Sequence, residues 1–440
     1  MISGDTIAAI ATALGRGGVA VVRVSGPEAF SVAERLTGKN GEAASSPLVR
    51  IKKIRFPSSG GDAAFPLIDE AVILFFKAPH SYTGEDVVEF QCHGGTVTPR
   101  RVLAACLAAG ARLARRGEFT ERAFLNGRLD YAQAESVLDL IDAKTTRAAD
   151  AALEGLSGRR QREIRALYES ALDLSTRLEH ALDIDEGELP PDFLPSVSSQ
   201  LSILNSQLRV AISKAAEGRL LKSGALVVLA GPPNAGKSSL LNALLDENRA
   251  IVSDVPGTTR DAIEAWIDLD GWPIRLVDTA GLREAKDEVE GEGVRRSEKL
   301  IAKADVIVGL GGLESLGGLE GRLIAIHAKC DLGRGEGLNV SAKTGEGLDE
   351  LKRAIVAKLE EKVASLDSGD TPEGDVAAYQ EALALLSSLF PLPSSLFPSS
   401  DLVLLANSVR SVAERLGEAI GASYSSDLLD NLFSRFCVGK

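Results

Sequence analysis

The chain has 440 residues, which is room for two to four domains with real hydrophobic cores. Hydrophobic residues make up 45% and charged residues 25%, which excludes global disorder. Lys and Arg number 49 against 62 Asp and Glu, and the net charge of −13 excludes a generally basic, histone-like nucleic-acid coat while leaving a local basic surface open.

The first 118 or so residues read as α/β. Residues 6–12 and 19–25 are short β-prone runs around the loop Gly15-Arg16-Gly17-Gly18, and 71–77 and 87–92 are two further strands. A helix over 102–109 follows Pro99 and closes at Gly110. From Phe119 the pattern turns helical. Ile164, Leu167, Ala171, Leu174, Leu178 and Leu182 recur at helical spacing and predict one apolar stripe. Residues 187–195, with three prolines, break that run, and a second helix follows over about 197–221. Residues 226–230 are continuously apolar, as a buried parallel strand requires. Strand-like and helix-like segments then alternate to about Glu361, a doubly wound pattern. Residues 367–375 read as a linker and 387–400 as an exposed Ser- and Pro-rich loop. Asp401 caps a last helix, whose Leu402, Leu405, Val409, Val412, Leu416 and Ile420 form another stripe. Neither stripe can stay exposed. They are expected to pack on each other as one helical domain with the α/β block inserted, the alternative being two small helical units.

Cys92, Cys106, Cys330 and Cys437 carry no C-x-x-C spacing, so neither a zinc knuckle nor a disulfide scaffold is expected, and a reducing compartment fits. The first five residues lack a cationic n-region and no apolar run approaches 18 residues. Neither a signal peptide nor a membrane span is expected, and the location reads as cytoplasmic.

The strongest chemical signal is Gly231-Pro-Pro-Asn234-Ala235-Gly236-Lys237-Ser238, which fits G-x-x-x-x-G-K-[ST] between an apolar strand and the helical run that starts at Ser239. Its backbone N–H groups can curl around phosphates, and the helix N-terminus adds a positive end. Lys237 should reach the β- and γ-phosphates and Ser238 should ligate Mg²⁺. Gly257-Thr258-Thr259-Arg260-Asp261 is a switch-loop candidate, with Thr259 completing the Mg²⁺ shell. Asp278-Thr279-Ala280-Gly281 follows a strand-like run; Asp278 suits a place near Mg²⁺, and the Gly281 N–H can meet the γ-phosphate. Ala328-Lys329-Cys330-Asp331 is similar to the N-K-x-D motif of GTPases, where the aspartate accepts from guanine N1–H and the exocyclic amine. Asp331 keeps that role, Ala328 replaces the Asn and weakens one base contact, and Ser341-Ala342-Lys343 matches the companion loop. GTP is favoured over ATP. Residues 309–321 hold six glycines in 13, which predicts a short or poorly ordered crossover. Leu282 stands where Ras-type enzymes carry a water-orienting Gln, so another group must act. Glu290 lies in the acidic stretch 284–292, which on residues alone reads as a solvated helix.

Five further motifs carry a resemblance. They are Asp5-Thr-Ile-Ala-Ala-Ile-Ala-Thr with Gly15-Arg-Gly-Gly-Val, Ser81-Tyr-Thr-Gly-Glu-Asp, His93-Gly-Gly, Gly117-Glu-Phe-Thr-Glu-Arg-Ala-Phe-Leu-Asn-Gly, and Phe436-Cys437-Val-Gly-Lys440. Together they resemble, over the whole chain, the MnmE (TrmE) family of tRNA-modification GTPases. Ala13-Leu14 departs from it where the family usually has two prolines. The resemblance implies a multidomain α/β plus α fold: an N-terminal α/β tetrahydrofolate-binding and dimerisation domain over 1–118, a discontinuous helical domain of 119–220 and 366–440, and an inserted Ras-like P-loop G domain over 221–365. It implies a homodimer that joins an FAD- and NADH-dependent partner, MnmG, in a heterotetramer. The pair adds an aminomethyl or carboxymethylaminomethyl group to C5 of the wobble uridine of certain tRNAs, with the one-carbon unit carried by 5-formyl-tetrahydrofolate or a related tetrahydrofolate.

Arg23, Glu89, Arg128 and Lys440 match the family's folate contacts; on residues alone Arg23 is an ordinary surface charge. K⁺ activates the G domain in this family. Asn234 matches the potassium ligand, with Ser253, Val255 and Thr258 completing the shell in a nucleotide-binding loop that also holds Asp254, Pro256 and Gly257. A cation beside the phosphates can take the place of an arginine finger. Glu290 would then orient water, beside Lys237 and Gly281. Cys437 reads on residues alone as a buried structural thiol, and its place in the family's tail makes it a further catalytic candidate. Two other readings stay open. An Era- or Der-like switch on ribosomal RNA would need an RNA module, and no G-x-x-G clamp in a KH-like context is visible. A generic P-loop ATPase is opposed by Asp331 and residues 341–343. For tRNA phosphates, residues 100–128 offer seven Arg against two Glu.

Overall fold

A computed structural model describes residues 4–38, 48–57, 66–183, 189–247, 264–278, 299–311, 321–365, 375–388, 399–420 and 432–440. The chain divides into two compact units, Met1–Leu138 with Ser423–Lys440, and Asp139–Ala422.

The first unit runs β1 (Ile7–Ile10), β2 (Gly15–Ser25), α1 (Ala29–Thr37), β3 (Leu48–Arg55), β4 (Leu67–Phe76), β5 (Val87–Gly95), α2 (Thr98–Ala108), β6 (Arg112–Leu113) and α3 (Glu118–Leu125), with α4 (Tyr131–Asp142) crossing the division. Its sheet has the order β3-β4-β5-β2-β1-β6. The β1–β6 pair is parallel and the other pairs are antiparallel. Period-two alternation sorts the side chains. Val22, Val24, Ile73, Phe75 and Phe90 share one core with Val32 and Leu36 of α1 and Val102 and Cys106 of α2. The opposite face carries a smaller core of Ile7, Ala9, Ala114 and Phe119, with Tyr82 packed against it. Helix α1 and strands β3 and β6 had no counterpart in the sequence reading.

This unit does not stop at residue 118. Gly117 takes the left-handed φ of 67°, and a Cβ there would stand 2.4 Å from the Phe433 carbonyl oxygen. Val438 forms an antiparallel bridge with Arg116. Gly439, at φ 106°, leaves room only for a hydrogen, because a Cβ would meet the Ile10 oxygen at 2.2 Å. The Phe124 and Phe433 rings lie 6.3 Å apart. The motif that starts at Gly117 thus closes the α/β unit, and the C-terminal segment is part of it.

The second unit begins with α5 (Thr146–Leu156), α6 (Arg159–Leu182) and α7 (Phe193–Ser223). The G domain follows as β7 (Ala225–Ala230), α8 (Lys237–Glu247), β8 (Glu264–Leu269), β9 (Trp272–Asp278), β10 (Val306–Leu310), β11 (Leu323–Ala328), β12 (Leu338–Val340) and α9 (Leu348–Ala364). The chain then returns as α10 (Asp375–Ser387) and α11 (Ser399–Ile420). The second sheet has the order β12-β11-β10-β7-β9-β8, parallel except for the β8–β9 hairpin. Helices α6, α7, α10 and α11 bury one continuous core, so the two stripes form a single helical domain interrupted by the G domain. The first stripe holds through Leu178; Leu182 is 37% exposed and Ala181 is buried in its place. The G domain rests on the helices through Ala148, Leu220 and Leu221, which join its own core. Thr145 caps α5 through the Ala148 N–H and donates to the Gly271 carbonyl at 2.7 Å. The expected linker, the Ser- and Pro-rich loop and the glycine-rich crossover fall largely on 366–374, 389–398 and 312–320, outside the described residues. Among the described residues, no helix is long and apolar enough to cross a membrane.

Candidate functional site

The nucleotide loop grows from β7, which is buried along its whole length because parallel strands cover both edges. Gly231 must be glycine: a Cβ would stand 2.7 Å from the Leu310 oxygen. Lys237 is only 5% exposed, and its Nζ donates to the carbonyls of Gly231 (3.0 Å) and Pro232 (2.8 Å). This ammonium is folded back over the loop it serves. The Ser238 hydroxyl donates to Asp278 Oδ2 at 2.6 Å, and Asp278 is buried at the end of β9. Asn234 has φ 60°, and its carbonyl accepts from Lys329 Nζ at 2.8 Å. The loop after β11 is thereby tied to the loop after β7. The Ser341 hydroxyl, fully buried, donates to Asp331 Oδ1 at 2.7 Å and fixes that carboxylate. Ala328 lies opposite Val340 on β11 and offers only a methyl group. Gly236 takes φ 99°, Ala235 packs on the core, Ser239 lies on α8, and Ala342 and Lys343 follow Ser341 in the loop after β12. All of these sit at the carboxyl ends of parallel strands, where open α/β sheets bind ligands. Ser253, Asp254, Val255, Pro256, Gly257, Thr258, Thr259, Thr279, Ala280, Gly281 and Glu290 lie outside the described residues.

A second constellation lies on the first unit. Arg23 of β2 and Glu89 of β5 are direct cross-strand partners, with Nε donating to Oε1 at 2.8 Å. Both side chains are about 15% exposed, so Arg23 is not the ordinary surface charge that its residue type suggested. The Arg23 guanidinium lies 5.3 Å from the Tyr82 ring and 5.6 Å from the Phe119 ring. Its Nη1 is buried and has no hydrogen-bond partner among the described residues. Lys440 lies close enough to feel both charges: burial and Arg23 push its ammonium down, and Glu89 pulls it back up. Three of the four residues expected here thus converge. Arg128 is exposed on the turn after α3, its Nε donating to the Ser81 carbonyl at 3.2 Å. Cys437 is exposed, not a buried structural thiol.

Sequence reasoning missed the ion cluster that holds α3 in place. Arg122, 4% exposed, donates to Asp5 Oδ1 at 2.8 Å, to Glu85 at 3.1 Å and to Glu118 Oε1 at 3.1 Å. Arg112 adds a 2.8 Å bond to Glu118 Oε2 and pairs with Asp5. Burial pushes the Glu118 carboxyl up, but hydrogen bonds from Arg112, the Arg115 N–H and Arg122 outweigh it and bring it down to about 2. The letters Glu-Phe-Thr-Glu-Arg were the available signal, since Glu118 and Arg122 stand one helical turn apart. The Ser81–Asp86 turn is held in the same manner, with Thr83 hydrogen-bonded to Ser25 at 2.7 Å and its carbonyl accepting from Asn126 at 2.7 Å.

Residues 6–128 match the family model described as the GTP-binding protein TrmE N-terminus, and 131–437 match that of the MnmE helical domain. A tRNA modification GTPase MnmE of Neisseria meningitidis is 42% identical, covering 99% of each chain. One from Moorella thermoacetica is 41% identical over 99% of each. One from Azoarcus is 39% identical over 99% of this chain and 98% of its own.

Proposed function

The chain belongs to the MnmE (TrmE) family of tRNA modification GTPases, and from that premise we propose that it is a K⁺-activated GTPase acting with an FAD-dependent MnmG partner on the wobble uridine of certain tRNAs. On this reading the one-carbon unit of the aminomethyl or carboxymethylaminomethyl group rides on a tetrahydrofolate held by the first unit. The protein acts as a homodimer in the cytoplasm, and the heterotetramer with MnmG is the working assembly. The observation that carries the reading is the convergence of Arg23, Glu89 and Lys440 beside a buried, unpartnered guanidinium nitrogen. A plain GTPase switch has no use for such a site.

The residues present fit each group. A pterin edge offers both donors and acceptors, which suits the Glu89 carboxylate and the unsatisfied donor of Arg23. Cationic Lys440 and Arg128 suit the carboxylates of a folate tail. Tetrahydrofolate supplies an activated one-carbon unit when bound. For GTP, Lys237 brings a buried positive charge to the phosphates, where it can stabilise charge that develops in transfer. The Ser238 hydroxyl and the Asp278 carboxylate, which are hydrogen-bonded to each other, would supply the hard oxygen donors that suit Mg²⁺. Asn234 offers K⁺ a side-chain oxygen on the exposed phosphate loop, with Ser253, Val255 and Thr258 proposed as its companions. Glu290 orients the attacking water, and Asp331, fixed by Ser341, reads guanine.

The test is nucleoside mass spectrometry on tRNA from a deletion strain, beside GTP turnover in K⁺ and in Na⁺. Loss of the C5 group from wobble uridine and faster turnover in K⁺ are expected. Unchanged wobble uridines would overturn the reading, and equal rates in the two salts would remove the cation role.

A further inference from the structure

We infer that Tyr82 and Phe119 are positioning residues for Arg23: the two rings clamp its guanidinium and hold it beside Glu89, where the folate reading places the ligand. The inference rests on the folate reading above and deepens it. An arginine side chain has several rotatable bonds and loses much rotamer entropy when it is held in one geometry. One 2.8 Å bond to Glu89 fixes Nε but leaves the far end of the guanidinium able to swing. Two aromatic faces at 5.3 and 5.6 Å remove that freedom. Both distances lie within the range of cation–π attraction, which strengthens as water is excluded.

Each ring is itself held. Phe119 is fully buried in the small core of Ile7, Ala9 and Ala114. The Tyr82 hydroxyl shares a 2.9 Å hydrogen bond with Thr120, the next residue on α3. Helix α3 in turn is fastened by Glu118 and Arg122 to Asp5, Glu85 and Arg112. The orphan Nη1 is the consequence: a buried donor without a partner is costly unless a ligand supplies the acceptor. Tyr82 does not need its hydroxyl for the clamp, since the ring face supplies the attraction; the hydroxyl only sets the ring's angle.

Four full-length variants test this: Tyr82→Phe, Tyr82→Leu, Phe119→Leu and Arg23→Lys. The first measurement is the rate at which phenylglyoxal modifies Arg23, followed by peptide mass spectrometry with no folate present. Tyr82→Phe should leave that rate within twofold of the parent, and Tyr82→Leu should raise it about fivefold or more. The second is equilibrium dialysis with 5-formyl-tetrahydrofolate, where Tyr82→Leu and Phe119→Leu should weaken binding roughly tenfold and Tyr82→Phe should not. Arg23→Lys keeps the charge but loses the planar fork, and should weaken binding as much as Tyr82→Leu. Hydrogen exchange of the sheet residues 20–24 and 87–92, kept slow in Tyr82→Leu, serves as the folding control for the first unit. If Tyr82→Leu leaves both the Arg23 labelling rate and the folate affinity at parent values, the clamp is wrong. If the labelling rate rises as expected but the parent chain itself does not bind the folate, the clamp stands and the folate reading falls.

Discussion

Replacing Glu118 by Gln removes one charge from the buried end of a cluster whose Asp5 and Arg112 reach solvent. Glu118 is 2% exposed and accepts bonds from Arg112, Arg122 and the Arg115 N–H. Its fall from 4.5 to about 2 corresponds to roughly 3 kcal/mol at about 1.4 kcal/mol per decade. Breaking a buried pair from one side costs a similar ~3–5 kcal/mol, because the partner is left uncompensated. For a unit of this size that lowers the melting temperature by about 6–12 °C. The sign with pH is fixed. A carboxyl depressed in the folded state contributes stability above about pH 4.5 that drains away as pH falls toward 2. Glu118→Gln should therefore be weakest against the parent at neutral pH and converge with it in acid. Scanning calorimetry across pH 7 to 3 reads this, and hydrogen exchange of residues 112–126 shows which unit has loosened. A shift under about 2 °C at pH 7, or a gap that widens in acid, would refute the reasoning.

Gly224 has φ 74° and a Cβ there would stand 2.2 Å from Trp266 Cζ3; Gly224→Ala should cost about 2 kcal/mol or more. Urea unfolding read by tryptophan fluorescence reports on it directly, since the chain's two tryptophans, Trp266 and Trp272, both lie on the β8–β9 hairpin. Ala328→Asn should restore one base-side hydrogen bond and tighten GDP about two- to tenfold in a fluorescent-nucleotide titration; weaker binding would mean that the methyl is required. Asp331→Asn turns an acceptor into a donor. GTP affinity should fall roughly ten- to hundredfold while xanthosine triphosphate, which presents a carbonyl there, gains; equal loss of both would show that the site has collapsed.

Much of the second unit was legible in the sequence because its signals are local. The P-loop is one contiguous run, and the stripes from Ile164 and from Leu402 repeat every three or four residues. What they could not state is their partner, and α6 and α11 lie far apart in the chain. The first unit was less legible. Its site depends on register: Arg23 meets Glu89 only because β2 pairs with β5 in one particular alignment. Without a resemblance, neither residue differs from a surface charge. Strand β3 was missed because Arg50, Lys52 and Lys53 interrupt its apolar residues, as an edge strand tolerates. The 118/119 boundary followed the onset of helical pattern at Phe119. But Phe119 of α3 packs into the sheet's small core, a placement held by Glu118 and Arg122 and not by periodicity.

The arginine-rich stretch 100–128 also means something different once folded. In sequence it carries seven Arg and two Glu, a local +5. Arg112 and Arg122 bring Asp5 and Glu85 into the same cluster, so the charge facing outward is nearer 5 − 2 = +3. Arg115 is further engaged by Glu121 at 2.9 Å. Arg100, Arg101, Arg116 and Arg128 remain exposed. Four cations that all met one RNA would neutralise about as many phosphates, and each contributes about −0.7 to −0.9 to the slope of log K against log salt. tRNA binding through this stretch alone should therefore show a slope of about −3. Double charge reversal at Arg100 and Arg101 should flatten it by about 1.5 without altering GTP turnover. A parent slope steeper than about −6, or one that the double reversal leaves unchanged, would show that the tRNA phosphates meet another surface.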